Sequence, residues 1–288
     1  MKTSTRMLID QTHGLKFTES PRWHDGKLWF LDIHHSRIKT ADLGGRVATV
    51  VELPFKPNGF GFTRAGSIVV GDALQRRLYR WTGTTLQPLA DLSGITRFCL
   101  SDGIVDANDR MYVGDIGYNF FDPAAKPVDT CVIARVELDG QAAIVADELC
   151  FPNGMVIKPD GRTLIVAETM GHCLTAFDIR ADGSLGNRRL YAQLPDDVQP
   201  DGIALDAEGA VWLANPEGKY SVLRVREGGE IVDRIELDTH AYAVMLGGPE
   251  RKHLFVCASA SHDPAEIERN PSATLRVVEV DVPGAGSP

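Results

Sequence analysis

The sequence predicts an all-β fold: a six-bladed β-propeller of four-stranded antiparallel blades around a central channel. Three observations carry this. A turn containing Gly or Asp leads six times into a short apolar run that stops at a small or acidic residue. The copies stand roughly 40 to 50 residues apart, the spacing of propeller blades. Helical periodicity is nearly absent. The six copies are DGKLWFLDI (25–33), RAGSIVVGDA (64–73), ANDRMYVGDI (107–116), PDGRTLIVAET (159–169), AEGAVWLANP (207–216) and ERKHLFVCAS (250–259).

Each copy is followed by a second strand-like run: RIKTADL (37–43), RRLYRWTG (76–83), CVIARVEL (131–138), CLTAFDI (173–179), SVLRVRE (221–227) and TLRVVEV (274–280). These are rich in β-branched residues and bounded by turn formers, as strands are. A sheet of this size cannot bury both faces alone, whereas six around an axis bury one another and leave only short edges. The competing architecture is a β-sandwich or a pair of stacked small β domains, and the regular spacing argues against it. The run around Met7–Asp10 is a candidate to complete the last blade and close the ring. DPAEIERN (263–270) reads as one helical turn at most. No linker divides the chain, so 1–288 reads as a single propeller domain, with the Pro- and Gly-rich 282–288 as a frayed tail. The longest irregular insertion, 117–130, carries Tyr118, Phe120 and Phe121 and reads either as a lid or as a packed surface excursion.

Composition bounds the function. In 288 residues, 43% are apolar, enough for a sizeable core, and 39 acidic against 30 basic residues give a formal charge of −9. That balance argues against nucleic acid, whose phosphates require Lys and Arg, and against an anionic membrane surface. The five cysteines, Cys99, Cys131, Cys150, Cys173 and Cys257, are scattered and form no CxxC pair, so a zinc site or disulfide framework is not expected. The first twenty residues hold no apolar core of signal-peptide length, and no apolar run reaches the roughly 18 residues of a membrane span. The expectation is a cytoplasmic protein, a monomer or weak homo-oligomer, acting on a small molecule.

A shorter motif precedes the apolar run of each repeat: ESP (19–21), PNG (57–59), SDG (101–103), PNG (152–154), PDG (200–202), and AYAV (241–244) in the sixth. Taken singly, Asn-Gly and Asp-Gly are turn dipeptides. Repetition in register, and strand-like residues directly after each Gly, point instead to equivalent positions facing one another across an axis. Glu19, Asn58, Ser101 or Asp102, Asn153, Asp201 and Tyr242 would then ring the channel. Carboxylates facing each other in a narrow channel repel unless they are protonated or bridged by a cation. Glu, Asp and Asn oxygens suit hard cations such as Ca²⁺, Mg²⁺ or Mn²⁺. One divalent ion is therefore expected, Ca²⁺ in the first place, with Zn²⁺, Mn²⁺, Mg²⁺ and Fe²⁺ as alternatives. Few protein ligands leave positions for water and substrate.

Other chemistries lack support. No GxSxG elbow, no HEXXH and no phosphate-binding glycine loop occur. His34–His35 reads as a satisfied or exposed pair rather than a metal site.

The stretches ESPRWHDGKLWFLDI (19–33), SDGIVDANDRMYVGD (101–115), FPNGMVIKPDGRTLIVAET (151–169) and PDGIALDAEGAVWLANP (200–216) resemble the senescence marker protein/gluconolactonase family, which includes regucalcin and luciferin-regenerating enzyme. The resemblance implies a six-bladed propeller with one divalent metal at the channel mouth. It implies Glu19, Asn153 and Asp201 as metal ligands, and Asp201 also as catalytic base. Sugar-lactonase members carry an Asn before the third-blade Asp-Gly, and an Arg two residues earlier that contacts substrate. Here those positions are Ser101 and Cys99, and Arg97 lies in a different register. A lactone less polar than a sugar lactone is the expectation, with Asn58, Arg97, Ser101, Asp102, Tyr118, Phe121 and Tyr242 as substrate contacts. The alternatives are a metal-dependent aryl esterase or phosphotriesterase-like hydrolase, and a non-catalytic calcium- or ligand-binding propeller.

Overall fold

The computed structural model describes residues 6–10, 13–122, 124–126, 128 and 130–286. The strand β1 (Arg6–Ile9) precedes six consecutive blocks of strands. They are β2 (Thr18–His24) to β5 (Val47–Glu52), β6 (Pro57–Phe62) to β9 (Leu86–Asp91), β10 (Leu100–Val105) to β13 (Ala142–Leu149), β14 (Pro152–Ile157) to β17 (Leu185–Gln193), β18 (Ile203–Leu205) to β21 (Ile231–Glu236), and β22 (His240–Gly247), β23 (His253–Ser259) and β24 (Thr274–Glu279). Each of the first five blocks is a four-stranded sheet in chain order, and the sixth is completed by β1, in the order β1-β24-β23-β22. The fold is the expected six-bladed propeller. The N-terminal run closes the ring: Arg6 pairs with Val277 and Met7 with Arg276, antiparallel. One short helix, α1 (Pro264–Arg269), stands where a helical turn was expected, capped by Asp263, whose side chain accepts from Glu266 N.

The apolar runs form the second and third strands, and their side chains meet between blades. Leu31 and Ile38 of blade 1 pack with Phe60, Ile68 and Val70 of blade 2. Val156 and Ile165 of blade 4 meet Leu205 and Leu213 of blade 5. Leu28 and Phe30 meet Met245 and Phe255 across the closing seam. The core is thus a ring of apolar slabs rather than one centre. Each such side chain contributes about 1.5–3 kcal/mol on burial.

The motifs expected as turns or as a ring lie on the inner strands, except PDG, which directly precedes β18. Residues of ESP and both PNG copies belong to β2, β6 and β14. Pairing of the inner strand with its neighbour shifts register at the motif in five blades, between Glu19 and Arg22, Asn58 and Phe60, Leu100 and Gly103, Pro152 and Met155, and Ala241 and Ala243. A bulge re-aims side chains, which is what a ring of ligands needs. The motif glycines serve approach between blades. A Cβ on Gly154 would stand 2.6 Å from Asp201 O and Ile203 N, and one on Gly202 would stand 2.4 Å from Ala243 Cβ.

The polar residue that ends a second strand pins the segment leading into the inner strand. Asp32 Oδ1 accepts from Lys16 N and Phe17 N at 3.2 and 3.3 Å. Asp115 Oδ2 accepts from Arg97 N at 3.3 Å, Glu168 Oε2 from Cys150 N at 2.8 Å and Asn215 Oδ1 from Gln199 N at 2.9 Å. The tail expected to fray is tied down as far as it is described. Ala207 N donates to Pro283 O at 2.8 Å, Gly284 N to Arg251 O at 2.8 Å and Ala285 N to Leu205 O at 2.9 Å, because β18 and its turn offer backbone partners there. Residues 287–288 lie outside the described residues.

Candidate functional site

A cavity of about 140 Å³ opens at one end of the channel. A single water needs only about 10–15 Å³ by the same measure, so the cavity has room for a small ligand. Glu19, Asn58, Ser101, Asn153, Asp201 and Tyr242 all line it, so each of the six blades contributes one ring residue, five from an inner strand and Asp201 from the segment just before β18. The remaining lining is largely apolar: Phe17, Ile33, Ile116, Tyr118, Phe120, Phe151, Met170 and Pro216, with Thr169, Gln199, Glu217 and His262 as polar members. Among the described residues no Lys or Arg lines it.

Asn153 Nδ2 donates to Asp201 Oδ1 at 2.5 Å and to Thr169 Oγ1 at 3.2 Å, and Thr169 Oγ1 donates to Pro200 O at 2.8 Å. With Nδ2 engaged on both sides, Asn153 Oδ1 is the oxygen left to act as a ligand. Glu19 Oε2 accepts from Ser20 N at 2.7 Å, made possible by the positive φ of Ser20, 50°. Burial pushes the Glu19 carboxyl up to about 8, reinforced by the charge of Asp102 and opposed by the Ser20 N–H and by Arg22. Asp201 is raised well above the usual carboxylate range by burial, then by Glu19 and Asp102, against the hydrogen bond from Asn153. Burial also pushes the Tyr118 phenol up to about 12, with Asp201 adding to it.

The nearby guanidinium offsets the rise of Glu19 only in part and does not figure in that of Asp201. Arg22 is engaged below them, with Nη2 donating to Asp102 Oδ1 and Gly103 O, both at 2.8 Å, Nε to Phe60 O at 3.1 Å and Nη1 to Pro21 O at 2.9 Å. Two desolvated carboxylates and a carboxamide oxygen therefore face one cavity with no cationic side chain among its lining residues. That donor set fits a hard divalent cation. Among the described residues no group of three or more His, Cys, Asp or Glu side chains is disposed to hold a metal. The candidate centre has only two carboxylates and completes its oxygen set with an amide.

Several expected contacts lie elsewhere. Asp102 is turned to Arg22 and does not line the cavity, because the buried guanidinium claims it. Arg97 is exposed, with its backbone N–H on Asp115 and its carbonyl accepting from Arg76 Nη1 at 3.1 Å. Phe121 packs its ring on His34 and Phe120, one layer behind the wall. Its neighbours Tyr118 and Phe120 form that wall. Cys99 supports them: its Sγ donates to Asn119 Oδ1 at 3.3 Å, and the same oxygen accepts from Phe121 N at 3.1 Å. The loop thus contributes an aromatic wall; positions 123, 127 and 129 within it lie outside the described residues. His34 and His35 pair with Glu268 and Asp32.

The SMP-30/gluconolactonase/LRE-like profile matches residues 17–260. The chain belongs to this family. A 6-deoxy-6-sulfogluconolactonase of Pseudomonas putida is 26% identical to this family member over 280 residues, covering 94% of this chain and 93% of the relative. Among solved structures, regucalcin of Agrobacterium tumefaciens, described as a calcium-binding protein, superposes with a TM-score of 0.79 at 21% identity, over 99% and 97% of the two chains. A gluconolactonase of Xanthomonas campestris gives 0.76 at 23% identity, over 96% and 89%. Both likenesses bear on the fold.

Sequence reading pointed to the loop that carries Tyr118 and Phe120 but missed the rest of the wall of this SMP-30/gluconolactonase/LRE-like chain, although a signal for it is present. Ile33, Ile116, Thr169 and Pro216 each follow the last residue of a second strand, directly after Asp32, Asp115, Glu168 and Asn215. The residue after the strand-ending polar group faces the cavity, once per blade in those four blades. Among the described residues no helix is long and apolar enough to cross a membrane.

Proposed function

We propose that this chain is a divalent-metal-dependent hydrolase that opens an uncharged lactone bearing apolar substituents. The observation that carries the reading is the cavity itself: a pair of buried, cation-free carboxylates beneath an aromatic and aliphatic wall with no Lys or Arg. Relatives named as lactonases support the reaction class. The sulfo group in one relative's name is anionic, and among the described residues this cavity offers it no Lys or Arg, so the two substrates are expected to differ.

Glu19, Asn153 and Asp201 would hold the ion, Ca²⁺, Mg²⁺ or Mn²⁺ by their oxygens. When bound it supplies Lewis-acid polarisation of the substrate carbonyl and offsets the charge of the two acids. The rest is the work of side chains. The wall of Phe17, Ile33, Ile116, Tyr118, Phe120 and Phe151 binds the apolar part of the substrate and excludes bulk water. Asn58 and Ser101 offer hydrogen bonds from neighbouring blades; Asn58 is oriented by its Nδ2 donating to Leu100 O at 3.1 Å. Asp201 takes a proton from the attacking water and returns it to the leaving oxygen.

The test is hydrolysis of a panel of γ- and δ-lactones and aryl esters, with EDTA and after return of Ca²⁺, Mn²⁺, Mg²⁺, Zn²⁺ or Fe²⁺. Turnover is expected to be highest on neutral alkyl-substituted lactones and to vanish with EDTA. Preference for polyhydroxylated or anionic lactones would overturn the substrate assignment, and EDTA-resistant turnover the metal. A second reading, a non-catalytic calcium-binding propeller, is favoured by the regucalcin neighbour. Silence across the panel with calcium binding retained would select it.

A further inference from the structure

Tyr242 is the sixth-blade member of the ring, and its hydroxyl is out of place as a core group. The residue is 4% exposed, lines the cavity, and its Oη is buried with no hydrogen-bond partner. Its ring packs edge-on against Phe17, with centroids 4.8 Å apart. A phenylalanine would pack as well, and a buried hydroxyl left unpaired is destabilising. The oxygen therefore has a use that packing does not supply.

The backbone fixes where Tyr242 stands. Gly202 N donates to Tyr242 O at 2.8 Å, and the missing Cβ of Gly202 lets Ala243 come within contact of the segment that carries Asp201. Tyr242 is thus strapped beside Asp201. In the lactonase reading, on which this inference rests, Asp201 returns a proton to the leaving oxygen, so that oxygen lies beside Asp201 too. We propose that the Tyr242 hydroxyl donates a hydrogen bond to the ring oxygen of the bound lactone and stabilises the negative charge that develops there as the ring opens.

The step balances without a further reactant. Water adds to the carbonyl carbon and gives its proton to Asp201. The bond from that carbon to the ring oxygen breaks, and the ring oxygen leaves with the electron pair and takes the proton back. Tyr242 keeps its own proton throughout. A phenol ordinarily titrates near 10. Burial, with Asp201, Glu217 and Glu19 nearby, raises that of Tyr242 further, so the group serves as a donor and not as a base.

The test is Tyr242→Phe assayed on two substrates of the metal-loaded protein: an aliphatic δ-lactone, whose leaving group is an alkoxide, and an aryl-fused δ-lactone, whose leaving group is a phenoxide. Loss of a donor aimed at developing charge is expected to lower kcat on the first by roughly 10- to 100-fold. The phenoxide needs little help, so kcat on the second should change by less than about 3-fold. Mn²⁺ affinity should be unchanged. Because the ratio of the two kcat values is independent of how much variant is correctly folded, partial misfolding does not obscure the result. Equal falls on both substrates, or none on either, overturn the proposal, as does a loss of Mn²⁺ binding that accounts for the lower activity. A wild-type protein inactive on both substrates overturns the lactonase reading together with this one. An active wild type with an unchanged ratio overturns only the role of Tyr242.

Discussion

Asp102 and Asp201 occupy the same place in the repeated motif, in SDG of blade 3 and PDG of blade 5. Their surroundings differ completely. Asp102 bonds Arg22 Nη2 at 2.8 Å and its own following amide, Gly103 N, at 2.8 Å. Asp201 has an amide N–H from Asn153 and no cationic side chain on its cavity. One carboxylate is neutralised by a side chain from blade 1; the other is left to be neutralised from the cavity. Repetition in a sequence marks equivalent positions, but the chemistry of each depends on what a different blade brings to it.

The largest expected effect tests the unpaired member. Asp201→Asn should lower lactone turnover by roughly 10²- to 10⁴-fold, the range for loss of a general base, measured as kcat with metal in excess. The same substitution should raise the melting temperature of the chelated protein at pH 7, because it removes an acid that burial makes costly to ionise. A lowered melting temperature in EDTA would mean that the Asp201 carboxylate is already neutralised within the protein.

The paired member is expected to respond in stability. Arg22→Met leaves Asp102 buried without its partner, which costs about 3–5 kcal/mol, read from urea unfolding of the chelated protein. The guanidinium also bonds three carbonyl oxygens, so those acceptors are stranded with it. An unchanged unfolding midpoint would show that Asp102 and Asp201 are not different in kind.

The third comparison is in pH dependence. Glu19 binds its proton more tightly folded, up to about 8, than an ordinary glutamate at 4.5. Folding is therefore disfavoured progressively as pH rises through that window, and the loss levels off above about 8. The chelated protein should lose stability from pH 5 to 8, and metal should restore it. Metal binding at pH 7 should release protons, detected by calorimetry in buffers of different ionisation enthalpy. Binding without proton release would place the ion elsewhere.

Much of the fold was legible because blade burial repeats. The second and third strands are apolar since both their faces meet neighbouring blades, and that pattern survives in one dimension. The fourth strands of the first five blades were not read. Val47–Glu52 and Ala142–Leu149 lie at the outer edge, largely exposed or half-buried, and lack the apolar run and the alternation by which the other strands were read. The ring residues were legible from register alone. The Arg22–Asp102 pair was not, since 80 positions separate its members, and Arg97 drew attention only by its nearness in the chain to Cys99 and Ser101.

By itself the sequence determined the number of blades, a candidate closing strand and the ring of Glu19, Asn58, Asn153, Asp201 and Tyr242 with either Ser101 or Asp102, because each follows from repetition along the chain. Only the tertiary structure decided which acid of the ring keeps a cation of its own, which loop supplies the aromatic wall, and which hydroxyl is buried without a partner. Those depend on contacts between blades, and the distances between blades are set by glycines and bulges that bring distant segments together.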